Sequence, residues 1–151
     1  MADDTNNQRS SALLIKAWET MQSLAKGNGE SAWKIKAWGV TTWSALMAYA
    51  YTSKTKEIIL VSIALLIVSL LIEVIIRQIQ YKFIERSLEI EQSLNDILAG
   101  EDPRTPKNGV STNVDTPSLR DFLNLLSLRR WLIWLPTLIL IFFSIVAFHF
   151  M

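Results

Sequence analysis

Charge is nearly absent from three stretches of this 151-residue chain, and that absence decides most of what the chain can fold into. Between Lys36 and Lys54 lie 17 uncharged residues, Ala37 to Ser53. Between Glu57 and Arg77 lie 19 residues with Glu73 as the one charge. From Trp131 to Met151, 21 residues carry no permanent charge. A helix crosses a bilayer core with ~20 apolar residues, ~17 being the lower limit. The second and third runs meet this on length and on Leu, Ile, Val and Phe content. The first is marginal, because it carries Gly39, Thr41, Thr42 and Ser44. A span that polar should pack against other helices rather than face lipid all round. A soluble helical bundle would hardly gather its apolar residues into three such runs. The expected fold class is therefore an all-α integral membrane protein. It has three transmembrane helices, the second extended into the cytosol, and an N-terminal amphipathic helix.

Lysine and arginine set the orientation. Thirteen of them lie in the N-terminal 36 residues and in the Arg77–Arg130 region, against Lys54 and Lys56 in the intervening turn. The positive-inside rule places the N-terminus and the middle region in the cytosol and the C-terminus at the outer face. Trp33, Trp38, Trp131 and Trp134 flank one side of the spans, and Tyr49 and Tyr51 the other, as aromatic belts do. The start is polar and acidic, so no signal peptide is expected and the first span acts as the insertion signal.

Along the chain, residues 1–9 read as a disordered tail. Residues 10–32 read as an amphipathic helix and turn. The helix carries a stripe of Leu14, Ala17, Trp18, Met21, Leu24 and Ala25, and Gly27-Asn28-Gly29 is expected to end it. It suits an interfacial helix on the inner leaflet or a docking and gating element. Residues 33–53 form the first span. Ser53 to Lys56 leaves room only for a tight turn. Residues 57–99 meet no Gly or Pro, so one helix of ~65 Å can run through the bilayer and into the cytosol. Residues 100–117 hold Pro103, Pro106, Gly109 and Pro117 and read as a linker capped by Gly100. Residues 118–151 read as an interfacial lead-in and the third span, kinked near Pro136.

Composition removes most chemistry. There are no cysteines and one histidine, His149, so thiol nucleophiles and histidine-based metal sites are excluded. Five glycines and no phosphate-loop motif leave nothing to cradle a nucleotide by that route. A net charge of +1 argues against a duplex nucleic-acid partner. Neither an enzyme nor a cofactor is expected.

The informative pattern is on the long helix. At about 100° per residue, Ser62, Ser69, Glu73, Gln80, Ser87 and Glu91 fall within about 20° of one line, with Leu66 beside it. Gln78, Lys82, Glu85, Glu89, Gln92 and Asp96 cluster opposite, as an ordinary wet face. A polar line within an apolar face needs partners or water. In a homo-oligomer it could face the axis and line a pore, with Glu73 as a ring of charge and Leu66 near a constriction. One chain has too few spans to enclose water, so about four or more copies would be needed. The alternative is plain helix packing, with Ser62 and Ser69 permitting close approach and Glu73 pairing with Arg77 one turn on.

A Trp-Lys-Ile-Lys-Ala-Trp lead-in (Trp33 to Trp38), a tight membrane hairpin and a second span running on from Glu73 to Leu98 make up the layout. Over residues 33–99 this resembles small membrane effectors of bacterial anti-phage defence. These are the SLATT-like proteins and the channel effectors of Hailong-type and cyclic-oligonucleotide systems. The third span departs from the simplest two-span pattern. The resemblance implies an oligomeric channel that depolarises the infected cell, triggered by a nucleotide or a cytosolic sensor protein. It transfers no nucleotide-binding residue. The competing readings are a membrane anchor or scaffold whose cytosolic helix recruits a soluble partner, and a holin-like toxin.

Overall fold

The computed structural model describes residues 2–101, 111–112, 127 and 130–151. All regular structure among them is helical: α1 Ala2–Ser53, α2 Glu57–Leu98 and α3 Trp131–Phe150. α2 ends one residue short of the expected 99. Most of the expected linker over 100–117 and of the lead-in over 118–130 lies outside the described residues.

Two expectations for α1 fail. Residues 2–9 are helical rather than a disordered tail; no Gly or Pro separates them from the amphipathic segment. The helix also runs straight through Gly27-Asn28-Gly29 instead of ending there and restarting at 33. A glycine in a helix interior costs about 0.5–1 kcal/mol relative to alanine. A break would forfeit several backbone bonds. Asn28 helps the helix through by donating its Nδ2 to the Leu24 carbonyl at 2.8 Å.

The chain forms two compact units, and α1 and α2 contribute to both. One comprises Met1–Asn28 and Ile79–Thr116. Its core sets Ala17, Met21 and Ala25 of α1 against Phe83 and Ile90 of α2, flanked by Leu14, Trp18, Leu24, Ile79, Ile84 and Leu94. The expected α1 stripe is thus the packing face of this helix pair. Gln22 Nε2 donates to Ser87 Oγ at 3.1 Å across it. At the end of α2, Gly100 takes φ +74°, Glu101 N–H reaches Asp96 O at 2.9 Å and Gly100 N–H reaches Ile97 O at 3.1 Å. That pair of bonds is a Schellman cap, which needs a left-handed residue where Gly100 stands.

The other unit comprises Gly29–Gln78 and Pro117–Met151. Here α1 and α2 run antiparallel from a tight turn in which Lys54 takes φ 53° and Thr55 N–H reaches Ala50 O at 3.3 Å. The buried residues of α2 here are Ile59, Ser62, Leu66, Ser69, Glu73, Val74 and Gln78; Gln78, expected on the wet face, is buried because it follows Val74 one turn on, and the first five are spaced alternately three and four apart. That average of 3.5 keeps one seam facing a partner helix, as in a coiled coil. α1 meets the seam with Ala32, Gly39 and Ala50, all buried. At Gly39 the backbones come so close that a Cβ would lie 2.8 Å from Ser69 Oγ and 3.0 Å from Ser69 Cβ. α3 closes the unit through Ile133, Thr137, Ser144 and Ala147. Trp43 Nε1 donates to Ser144 Oγ at 2.8 Å. Near the turn, Ala50, Ile59 and Ala147 cluster with Phe148 and Met151, and Lys56 lies over the Phe148 ring at 5.6 Å.

Two of the helices, α2 and α3, are long and apolar enough to cross a membrane. Their outward faces are bare rows: Leu60, Val61, Ile67, Val68, Leu71, Ile72 and Ile75 on α2, and Leu132, Leu138, Ile139, Phe142, Phe143 and Ile145 on α3. Contiguous apolar surface of that kind marks a membrane or partner face. The expected first span on α1 does not pass the same test; its glycine and hydroxyl residues dilute the apolar run.

The glycines of α1 should separate by environment. Gly27 has nothing within 4 Å of an added Cβ, so Gly27→Ala should gain about 0.5–1 kcal/mol. At Gly39 the same gain is opposed by overpacking against Ser69, about 1–3 kcal/mol, so Gly39→Ala should lose stability. Thermal unfolding in detergent reads both signs; a gain at Gly39 would refute the close approach.

Candidate functional site

The polar seam of α2 divides between the units. In the first, Ser87 is fully buried, accepts from Gln22 and donates to Ile84 O at 2.8 Å, while Gln80 is half-buried and Glu91 is exposed. In the second, Ser62, Leu66, Ser69 and Glu73 are all buried within the single chain. Ser62 donates to Ile59 O at 2.8 Å and stands 3.6 Å from Met47 Sδ. Ser69 faces Gly39. α1 therefore covers the seam over this stretch.

Glu73 is the centre of the second unit. Its Oε1 takes Lys36 Nζ at 3.0 Å and Arg77 Nε at 2.9 Å. The Arg77 pair is the expected i, i+4 contact; the Lys36 pair comes from another helix. Burial of an ion costs several kcal/mol unless its partners are well placed. Here the carboxylate is 2% exposed against 12% for Lys36, so the pair is largely out of water.

Lys36 does a second thing. Its ammonium also reaches Ile133 O at 3.0 Å and Leu132 O at 3.5 Å, in the first turn of α3. One of those carbonyls, Leu132 O, is left over because of Pro136. Proline has no N–H, so Leu132 O lacks its helical donor four residues on, and the ring crowds the turn. α3 nonetheless continues through Pro136 as helix. An ammonium has three protons, and Lys36 places them on one carboxylate and two carbonyls. The resulting clasp joins α1, α2 and α3 at one point.

Reading the residues singly found Glu73 and Arg77 but treated Lys36 as a span boundary and Pro136 as a kink. The signal was the tight turn. Counted from between Lys54 and Thr55, Lys36 and Glu73 are equally far along the two arms, and equal rise in an antiparallel pair sets them opposite each other.

No family model matches the chain, and neither a curated protein nor a solved structure is found to be similar to it. The site therefore has to be read from its own geometry.

The clasp predicts an order of damage. Glu73→Gln leaves two cations without their carboxylate and should cost about 3–5 kcal/mol, the usual penalty of a broken buried pair. Lys36→Met leaves Glu73 paired with Arg77 and removes one charged hydrogen-bond donor, about 1.5–3 kcal/mol. Unfolding of the purified protein in mixed detergent measures both. A larger loss at Lys36 than at Glu73 would show that the carboxylate is not the hub.

Proposed function

We propose that this chain is a multi-pass protein of the bacterial inner membrane that self-associates and conducts ions as a depolarising effector of anti-phage defence. In this reading it has three spans, its N-terminus lies in the cytosol, and about four or more copies surround the lumen. A cytosolic nucleotide or sensor protein supplies the trigger.

One observation carries the proposal. Ala37, Thr41, Ser44, Ala48 and Thr52 form an exposed stripe down the outward side of α1. Thr41, Ser44 and Thr52 turn their hydroxyls back onto the carbonyls four residues earlier, each at 2.9 Å. That bond lets a hydroxyl survive at membrane depth, yet it leaves the oxygen with acceptor capacity facing outward. Lipid gains nothing from such a face; a neighbouring helix or a water-filled lumen does. Since α1 already covers the α2 seam, α1 itself offers the polar surface for assembly.

The anchor reading has support of its own. On the Met1–Asn28 side, Leu13, Lys16, Ala17, Thr20, Met21 and Thr112 line an open cavity of about 240 Å³. Leu13 is 68% exposed at its edge. A soluble partner's apolar side chain fits there. Leu13→Asp should abolish such recruitment and leave conduction of the reconstituted protein unchanged.

Two measurements test the main proposal. The chain has no cysteine, so single cysteines report topology directly. Cysteine at Thr55 should react with an impermeant reagent from outside, and cysteine at Glu101 should not; the reverse pattern would overturn the orientation. In proteoliposomes, Thr41→Leu with Ser44→Leu should suppress ion flux at equal insertion, because it makes the outward stripe of α1 apolar. Undiminished flux and an unchanged oligomer would remove that stripe from the conduction path.

A further inference from the structure

Resting on the membrane reading above, we infer that the Lys36–Glu73–Arg77 clasp is also a docking place for one anionic phospholipid headgroup, whose phosphate is held by Arg77. The argument begins with charge. Two cations share a single carboxylate oxygen, so the clasp has a surplus positive charge in a largely desolvated place. Lys36 has spent its three protons on Glu73 and the two α3 carbonyls. Arg77 has spent one N–H, at Nε. Among the described residues its terminal Nη fork has no acceptor, and its side chain is 21% exposed. A guanidinium fork matches two oxygens of a phosphate, and it binds best where water is scarce.

The surroundings complete the match. Lys34 is exposed two residues before Lys36, and Arg130 opens α3. Glu30 is the one other carboxylate over residues 29–53, there is none over 130–151, and Glu57 lies at the turn end of α2. Trp33, Trp38 and Trp131 are 64%, 60% and 47% exposed. Their indoles flank the same basic residues and favour the headgroup level of a bilayer. Val68, Ile72 and Ile75 form an exposed apolar row on the face of α2 opposite Arg77. The exposed indoles thus hold the fork at the headgroup level of a bilayer, an anchorage that free phosphate cannot use. Basic pockets between membrane helices on the cytosolic side bind anionic headgroups by this chemistry.

The test uses the full chain in uncharged detergent, titrated with phosphatidylglycerol, phosphatidylcholine or inorganic phosphate while thermal unfolding is followed. At a lipid concentration about a hundredfold above its Kd, phosphatidylglycerol should raise Tm by about 5–10 °C. Phosphatidylcholine and inorganic phosphate should not. Arg77→Gln should lose the shift, and Lys54→Gln, at the hairpin turn, should keep it. Should Arg77→Gln fail to fold, Arg77→Lys retains the charge without the fork and should lose most of the shift. Equal shifts with the two lipids, an equal shift with inorganic phosphate, or a full shift in a folded Arg77 variant would each overturn the inference. Flux is not the readout, so failure here leaves the conduction proposal standing, and failure of conduction leaves this site intact.

Discussion

A charge buried inside a helical bundle must be met by partners, and the unit built on Gly29–Gln78 and Pro117–Met151 is organised by that demand. Glu73 sits where α2 is apolar on all other faces, with Lys36 and Arg77 on one oxygen. Removing an ion from water costs several kcal/mol, and these two partners offset that cost. The same requirement recruits α3. Its hydrogen-bonding ladder is interrupted at Pro136, and the Leu132 carbonyl left over is an acceptor that needs another donor. Lys36 serves the carboxylate and the carbonyls together. Trp43 and Ser144 add a second polar tie further along the same helices.

Packing follows from the clasp rather than competing with it. For Lys36 to stand beside Glu73, α1 and α2 must be close, and closeness requires small residues. Gly39 against Ser69, with Ala32 and Ala50 on the same face of α1, supplies them. Small residues bring little apolar area, yet in a membrane lipid is as apolar as leucine, and close van der Waals contact matters more. The polar seam then reads naturally. Serines at Ser62 and Ser69 are narrow enough for the contact, and Ser62 satisfies its own hydroxyl on the helix backbone.

Much of this was legible in the residues. The helical class, the tight turn at Ser53–Lys56, the unbroken α2 and the left-handed cap at Gly100 each follow from a local rule about charge-free length or about Gly and Pro. The errors lie where a local rule met a longer-range gain. Gly27-Asn28-Gly29 is a strong stop signal on propensity, but Asn28 repairs the turn from within. The α1 run is too polar to pass as a span by hydropathy; Gly39 is taken up against Ser69, while Thr41, Ser44 and Thr52 return their hydroxyls to the helix's own carbonyls. Lys36 was invisible as a functional residue because nothing nearby in sequence marks it. Its partners lie on two other helices, and only the register counted from the turn connects it to the first of them.

Pro136 gains a different meaning from this arrangement. A proline inside a helix is commonly a tolerated defect. Here it leaves the Leu132 carbonyl without a helical donor, and a lysine on another helix takes it up. If a descendant of this chain replaced Pro136 by a residue with an amide hydrogen, α3 would repair its own ladder and the lysine would lose part of its purpose. A shorter or neutral side chain at position 36 would in turn make proline at 136 harder to keep. The two positions are a hundred residues apart, yet a change at one alters what the other meets, with Glu73 as the third member. They are expected to drift together or not at all.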